Sequence, residues 1–276
     1  MTTTFIGGGN MATALIGGLL ARGVPPARFS VVEPGDQARA RLAARHPGIA
    51  IHAACTQEAV AGVDLVVFAV KPQQMREAAH ALAPHLARAP GPLILSIAAG
   101  IRLADLGRWL GGYRRLARAM PNTPALIGKG ISGLFAADEV DAPGRALAAA
   151  TVEAAGEVVW VRDEAMLDAV TGVSGSGPAY VFYFLEALET AARELGFDAA
   201  ESRRLAYATF AGAVALAQAS PDDPSALRAQ VTSKGGTTER AIAALEAGAV
   251  RATIAAAVKA AARRAEELGE ALGNDP

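Results

Sequence analysis

Short apolar runs alternate with amphipathic stretches through roughly the first 160 residues of the chain. The runs lack polar alternation, which is typical of strands buried on both faces, and the stretches between them have helical spacing. The predicted strands are 3–6, 28–32, 49–51, 65–70, 93–97, 114–119, 131–135 and 158–161, with helices from residue 10 and over 37–45, 57–61 and 73–85. This alternation predicts an α/β domain with a Rossmann-like, doubly wound, mostly parallel sheet.

Past about residue 163 the chain contains no strand-like runs. Predicted helices follow one another there, over 166–173, 178–195, 199–219, 225–231, 238–247 and 250–268. Pro178 stands where a first-turn proline is tolerated, and Gly196 stands where a helix ends. We therefore expect two domains, an α/β domain over 1–162 and an all-α domain over 163–276.

Several of the predicted helices are apolar around their whole circumference. Neither 180–185 nor 205–219 has a polar face. Such a helix has to be buried on all sides, and an all-α domain of this size does not bury several of them alone. We expect this domain to pack against a second copy in a homodimer.

A glycine-rich turn follows the first predicted strand. It reads Gly7, Gly8, Gly9, Asn10, Met11, Ala12, a G-x-G-x-x-A pattern that opens a predicted helix. Gly7 permits a tight turn, Gly9 lets the backbone approach a pyrophosphate, and the small Ala12 lets helix and strand pack closely. The free N–H groups of the first helical turn then face phosphate oxygens. In this context the motif predicts a dinucleotide-binding site.

Composition narrows the classes of partner. The 276 residues are 52% hydrophobic and 19% charged with a net charge of −1, which provides no basic field for nucleic acid or an anionic membrane. The single cysteine, Cys55, excludes an intrachain disulfide and suits a reducing compartment. The uncharged stretch 205–221 is shorter than the ~20 strongly apolar residues of a membrane span, and no secretory signal fits the start. We expect a cytoplasmic protein with no membrane, nucleic-acid or metal ligand.

Two strand-end segments predict where the rest of a dinucleotide lies. Segments 69–72 and 97–100 follow buried strands, and their small residues suit a flat nicotinamide ring. Lys71 has two open interpretations, a solvated lysine at a strand end or a direct contact with the ligand.

Two further glycine-rich turns precede helices of the second domain. They span 172–180 and 232–238. Glycines followed by threonine at a helix start present unpaired N–H donors and a hydroxyl, which favours binding of a carboxylate. Ordinary capping of the two helices is the alternative.

Taken together, these segments resemble the pyrroline-5-carboxylate reductase family, which catalyses the last step of proline synthesis. The resemblance covers essentially the whole chain. It is carried by 5–11, 69–72, 96–100, 120–124, 172–180 and 233–238, and the last three in this order are the most specific. It implies hydride transfer from NADPH or NADH to the C=N bond of 1-pyrroline-5-carboxylate, giving L-proline. It also implies a homodimer, and the assembly of five such dimers into a decamer.

The resemblance assigns roles to individual residues. The implied cofactor-binding residues are Ile6, Gly7, Gly8, Gly9, Asn10, Met11, Thr56, Ala69, Val70, Lys71, Pro72, Ile97, Ala99 and Gln230. The implied substrate-binding residues are Glu164, Ser176, Ser233, Gly236, Thr237 and Thr238. Thr238 is the candidate catalytic residue, because its hydroxyl can hydrogen bond the ring nitrogen of the substrate and pass a proton.

The chain departs from the family pattern in places. Lys234 replaces the usual proline and either attracts a carboxylate or points to water. Thr56 and Gln230 stand where asparagine is common.

Glu33 bears on the choice between the two nicotinamide cofactors. It ends the second predicted strand, and its carboxylate can accept from a ribose 2′-OH and would repel a 2′-phosphate. This favours NADH. Arg39 and Arg41 can still reach a phosphate from the next helix, so NADPH stays open.

Two other functions are compatible with a dinucleotide-binding fold. A two-domain dehydrogenase of hydroxy acids or phosphorylated polyols needs a catalytic base, typically lysine, and 178–219 contains no lysine. A dinucleotide-binding regulator without activity has no need of the carboxylate-binding turn at 233–238. Both features favour the reductase.

Overall fold

The computed structural model describes residues 1–86 and 91–273. Eight strands form one sheet: β1 Thr3–Ile6, β2 Phe29–Val32, β3 Ala50–His52, β4 Leu65–Phe68, β5 Leu93–Ser96, β6 Leu116–Met120, β7 Gly130–Ala136 and β8 Gly156–Trp160. The helices are α1 Asn10–Ala21, α2 Asp36–Arg45, α3 Gln57–Val60, α4 Met75–Leu82, α5 Leu103–Trp109, α6 Ala142–Glu153, α7 Met166–Val170, α8 Gly177–Glu194, α9 Ala199–Ala219, α10 Pro224–Gln230, α11 Thr237–Ala247 and α12 Val250–Gly273. A π turn over Thr171–Gly175 links α7 to α8.

The strand order places a crevice beside the glycine turn. The order is β3-β2-β1-β4-β5-β6-β7-β8, and every neighbouring pair is parallel except β6 and β7. Ile6 at the end of β1 pairs with Val32 on one side and Phe68 on the other. The direction of winding reverses between β1 and β4, where ligands bind in open α/β sheets. The predicted doubly wound, mostly parallel sheet is confirmed.

The core lies on both faces of the sheet, because the central strands are buried on both sides. Phe5, Val31 and Val67 belong to one cluster of buried side chains, which includes residues of α1 and α6. Ile6 and Phe68 belong to a second cluster, on the face covered by α4 and α5. This explains why β4 reads as a continuous apolar run.

Three local predictions were wrong. The strand predicted over 65–70 ends at Phe68, because the Lys71–Pro72 step begins a 3₁₀ turn. The helix predicted over 73–85 is a short α4 between two 3₁₀ turns. Helices α5 and α6 were not predicted, although Asp141 caps α6 by accepting from the Gly144 N–H at 3.0 Å.

The chain divides into two compact units. One contains residues 1–176 together with the chain from Ala260 onward, and the other contains 177–259. In the first unit the end of α12 lies against the loop after β5: a Cβ on Gly269 would be 2.6 Å from the carbonyl oxygen of Gly100. The predicted domain boundary at 162/163 stays a prediction.

Helices α8 and α9 expose much apolar surface in the single chain. None of the described residues of α8 is buried, and Tyr183 is 71% exposed. None of the described helices is by itself long and apolar enough to cross a membrane; α11 and α12, which meet at a 51° bend, meet that criterion only as a pair.

Candidate active site

The glycine turn after β1 has an open approach to its backbone. Gly7 has a φ of +98° and donates its N–H to the Val32 carbonyl at 2.8 Å. A Cβ on Gly7 would be 2.9 Å from the Ala69 carbonyl, so glycine is required there. A Cβ on Gly9 would meet nothing within 4 Å. Because Gly9 has no side chain to cap α1, the N–H groups of Asn10 and the following residues are available to a phosphate.

The strand ends predicted to hold the nicotinamide lie beside this turn. Ala69 donates its N–H to the Ile6 carbonyl at 2.8 Å, and Ile97 donates to the Phe68 carbonyl at 3.0 Å. Lys71 is exposed and precedes the 3₁₀ turn that begins at Pro72. The structure therefore brings the predicted cofactor segments 6–11, 69–72 and 97–99 to one edge of the sheet.

Glu33 follows β2, and both of its carboxylate oxygens accept backbone N–H groups. Oε2 accepts from Gly8 at 3.0 Å, and Oε1 accepts from Gly35 at 2.9 Å. Arg39 donates to two carbonyls of the same loop and pairs with Asp36. The Glu33 carboxylate is thus fixed beside the glycine turn, while the Arg39 guanidinium is already committed to three acceptors.

Thr56 has a local structural partner. Its hydroxyl caps α3 by accepting from the Ala59 N–H at 3.4 Å. The cofactor contact predicted for Thr56 stays a prediction.

A cavity of about 280 Å³ in the first unit collects residues from both predicted sets. Pro72 and Ala99 come from the predicted cofactor set and Ser176 from the predicted substrate set. The wall is completed by residues that the sequence did not indicate: Gln73, Gly100, Thr171, and from α12 Ala261, Arg264, Ala265, Leu268 and Leu272.

Glu164 belongs to a partly buried charge cluster that is bonded to the residue after the loop 97–102. Its Oε1 accepts from Arg118 Nη1 at 2.5 Å and from the Leu103 N–H, in the first turn of α5, at 2.8 Å. Arg102 Nη2 pairs with Asp168 Oδ2 at 2.5 Å. Burial lowers the pKa of Arg118, and the neighbouring Glu164 carboxylate opposes that decrease. The substrate contact predicted for Glu164 stays a prediction, since the structure gives this oxygen two protein partners.

The second unit brings together the other predicted substrate residues. Gly235 has a φ of +73°, and its N–H donates to Glu239 Oε2 at 2.6 Å. The Gly236 N–H donates to the Ser233 carbonyl at 3.0 Å. Gly236 is the N-cap of α11 and has no capping side chain, so the N–H groups of Thr237 and Thr238 open the helix as free donors.

Gln230 ends α10, three residues before this turn. Its Nε2 donates to Asp222 Oδ2 at 2.8 Å. Its predicted cofactor contact stays a prediction.

Sequence reasoning missed several residues that shape these segments, among them Asn122, Arg118 and Glu239. Arg118 lies in the middle of a strand and has no sequence signal beyond a charge in an apolar run. Asn122 lies within 120–124, one of the segments that carry the family resemblance. The resemblance assigned no role to any residue of that segment. Glu239 was detectable, since an acidic third residue of a helix commonly reaches back to the turn before it.

The described residues offer neither a metal site nor an activated cysteine thiol. Within 1–86 and 91–273 no group of His, Cys, Asp or Glu could hold a metal ion. Burial raises the pKa of the Cys55 thiol, which disfavours the reactive thiolate.

A sheet wound in opposite directions from β1 and β4, with an open glycine turn at the reversal, is typical of dinucleotide-binding proteins. Residues 2–100 match the family model described as NADP oxidoreductase coenzyme F420-dependent. Residues 164–268 match the model described as pyrroline-5-carboxylate reductase dimerisation.

Individual relatives agree with these matches. The chain is 46% identical to a pyrroline-5-carboxylate reductase of Pseudomonas aeruginosa, over 98% of this chain and 97% of the relative. A structure of the Coxiella burnetii reductase has a TM-score of 0.90 at 37% identity and covers 97% of this chain and 98% of the other. A Plasmodium falciparum pyrroline carboxylate reductase with NADP bound has a TM-score of 0.85 at 25% identity, and 98% of each chain is covered. The chain belongs to the pyrroline-5-carboxylate reductase family.

Proposed function

We propose that the protein reduces 1-pyrroline-5-carboxylate to L-proline with a nicotinamide dinucleotide. The observation that carries this proposal is the pair of uncapped helix starts, α1 after Gly9 and α11 after Gly236, within a chain of this family. Each presents backbone N–H donors to an anion. The first fits the pyrophosphate of a dinucleotide, and the second fits the carboxylate of the substrate.

The residues around β1 and β4 fit the dinucleotide. The space beyond Gly9 is open where a Cβ would stand, and Gly7 closes the turn against Ala69. Bound there, the reduced nicotinamide supplies the hydride for the imine carbon. Ala69–Pro72, Ile97 and Ala99 orient the ring, because small residues at the strand ends let a flat group lie on the backbone.

The turn 233–238 positions the substrate. The N–H groups that follow Gly236 hold the carboxylate, and the hydroxyl of Thr238 hydrogen bonds the ring nitrogen. The nitrogen has to be protonated when the hydride adds, because an iminium accepts hydride far faster than a neutral imine. Fixed alignment of the reacting carbon supplies several kcal/mol of the barrier decrease.

We propose NADH as the preferred cofactor. Glu33 is fixed by the Gly8 and Gly35 N–H groups and retains lone pairs for ribose hydroxyls. The same charge repels a 2′-phosphate, and Arg39 is already paired within the loop. NADPH is the alternative, and the family model that matches residues 2–100 is one of NADP oxidoreductases.

We propose a homodimer formed by the helical region 164–268, which matches a family model for dimerisation. Five such dimers assemble into the larger form. A cytoplasmic location, which the single cysteine suits, is also part of this proposal.

The first prediction tests the reaction and Thr238 together. Oxidation of NADH or NADPH by the wild-type protein should depend on added 1-pyrroline-5-carboxylate. We expect Thr238→Ala to lower kcat/KM at least about tenfold, because the hydrogen bond to the ring nitrogen is lost. Thr253→Ala, which removes a hydroxyl bonded to the carbonyl of the residue just before α12, is the matched control and should stay near wild type. An inactive wild-type protein would contradict the reaction, and near-wild-type kinetics of Thr238→Ala would contradict only the role of Thr238.

The second prediction tests the cofactor preference. Glu33→Gln keeps the acceptor for one N–H but removes the charge, so we expect the ratio of kcat/KM for NADPH to that for NADH to rise about tenfold. Glu58→Gln, an exposed change in α3, is the control. A wild-type ratio at or above one, or no change in Glu33→Gln, would count against the preference.

A further inference from the structure

The wall of the 280 Å³ cavity includes the first residue of the π turn and the residue that follows the turn. Thr171 and Ser176 both line this cavity, and the Ser176 N–H donates to the Thr171 carbonyl, five residues back, at 2.8 Å. In an α-helix the Thr171 carbonyl would instead accept from the N–H of residue 175. The extra residue of the π turn therefore places Ser176 in the cavity wall. The conformation of this turn therefore decides which side chains face the cavity.

Pro178 removes the α-helical donor of one carbonyl in the π turn. In a continuous α-helix the Ser174 carbonyl accepts from the N–H of residue 178. Residue 178 is proline, which has no N–H. A half-buried carbonyl without a donor is costly, so another group has to supply one.

Asn122 supplies that donor. Its Nδ2 donates to the Ser174 carbonyl at 3.2 Å, and its Oδ1 accepts from the Ile131 N–H of β7 at 3.0 Å. The side chain is 8% exposed, so water does not readily replace it. Asn122 thus ties the π turn to the sheet through both ends of its amide.

Close packing supports the same arrangement. A Cβ on Gly175 would be 2.7 Å from Met120 Cε, and a Cβ on Gly133 would be 2.8 Å from the Val170 methyl groups. The turn and α7 therefore lie directly against β6 and β7.

We propose that Asn122 is a positioning residue for the reaction: its amide replaces the N–H that Pro178 lacks and holds the π turn in the form that places Thr171 and Ser176 in the cavity wall. The link to catalysis rests on the proposed function. The structural part, in which Asn122 donates to the Ser174 carbonyl in place of the N–H that Pro178 lacks, does not rest on the proposed function.

Asn122→Asp is the direct test, because it keeps the oxygen that accepts from Ile131 and removes the donor to Ser174. We expect hydrogen exchange of the Ser176 amide to accelerate about tenfold or more, since the π turn opens more often. We expect kcat/KM for 1-pyrroline-5-carboxylate to fall about tenfold, with the dissociation constant of the cofactor changed less than twofold. Asp141→Ala, which removes the cap of α6, is the control for a general loss of stability and should leave kcat/KM within about twofold of wild type.

Rescue gives the sharper test. Pro178→Ala restores an N–H at residue 178, so the double variant Asn122→Asp/Pro178→Ala should recover slow exchange at Ser176 and most of kcat/KM. If Asn122→Asp alone fails to fold, recovery of soluble protein in the double variant supports the same role for the Asn122 amide. Unchanged exchange in Asn122→Asp, or a double variant as impaired as the single one, overturns the proposal. A wild-type protein inactive with 1-pyrroline-5-carboxylate overturns the proposed function instead, and the exchange comparison still decides the role of Asn122.

Discussion

At the scale of single residues, the pair Arg118 and Glu164 connects the sheet to the loop that borders the cavity. Arg118 is 3% exposed and Glu164 is 22% exposed, so their charges are largely withdrawn from water. Glu164 also accepts from the Leu103 N–H, just after the loop 97–102 that carries Ile97 and Ala99. Removal of one partner from a buried pair is costly, because it leaves the other charge uncompensated.

We expect Glu164→Gln to lower the free energy of unfolding by about 3 kcal/mol, because Arg118 keeps its charge and loses its anion. The amide oxygen of glutamine still accepts from Leu103, so helix α5 should form. Urea denaturation of Glu164→Gln, Arg118→Met and the double variant measures the interaction as a double-mutant cycle. Additive effects in that cycle would contradict a strong pair.

The same variants separate two roles of Glu164. A carboxylate that contacts the substrate directly predicts that Glu164→Gln raises KM for 1-pyrroline-5-carboxylate while Arg118→Met does not. If the carboxylate acts through the loop, KM for 1-pyrroline-5-carboxylate should change equally in both variants. The measurement is KM at saturating cofactor.

At the scale of elements, α1 approaches α6 so closely that one glycine decides the contact. A Cβ on Gly18 would be 2.0 Å from the carbonyl oxygen of Ala154, just after α6. Arg22, one turn later, donates to the neighbouring Glu153 carbonyl. The helix that carries the open N–H groups at its start is therefore fixed to the end of α6 near its own other end.

Gly18→Ala should destabilise the protein by about 3 kcal/mol, because the clash is with backbone and cannot be relieved by a side-chain rotation. Gly17→Ala is the matched control in the same helix: its Cβ would meet only His46 Cε1, at 4.0 Å. We expect this control to gain up to about 1 kcal/mol from helix propensity. Thermal or urea unfolding decides, and equal effects of the two substitutions would contradict the contact.

The elements that the sequence predicted well are those with a strong periodic signal. The buried strand 65–68 and the glycine turn with α1 lie as expected, because apolar runs and G-x-G-x-x-A carry their structure locally. The short helix α5 and the π turn were not predicted. Seven residues with an internal glycine give little helical periodicity, and the π turn is bonded to Asn122, which lies about fifty residues away in the chain.

The candidate site could be predicted only in part for the same reason. Residues carried by contiguous motifs, such as 7–11 and 236–238, were identified from the sequence. Residues that act through tertiary contacts, such as Arg118 and Thr171, have no local signal and required the sheet register to be seen.

At the scale of the whole molecule, the exposed apolar faces of α8 and α9 need a partner. Phe182 is 58% exposed and Tyr183 is 71% exposed, while α9 exposes Val214 and Leu216. Residues 164–268 match a dimerisation model, and these side chains lie within that range. An apolar helix surface of this extent is more stable against a second copy than in water.

We expect the wild-type protein to have an even multiple of the chain mass of 28.1 kDa in sedimentation equilibrium, either two or, for five dimers, ten chains. Phe182→Glu buries a charge in the proposed interface, so its dimer dissociation constant should rise at least about a hundredfold, equivalent to about 3 kcal/mol. Gln37→Glu adds the same charge to an exposed position of α2 and should leave the mass unchanged. Monomeric wild-type protein at micromolar concentration, or a Phe182→Glu variant with the wild-type mass at every concentration, would show that α8 does not form the interface.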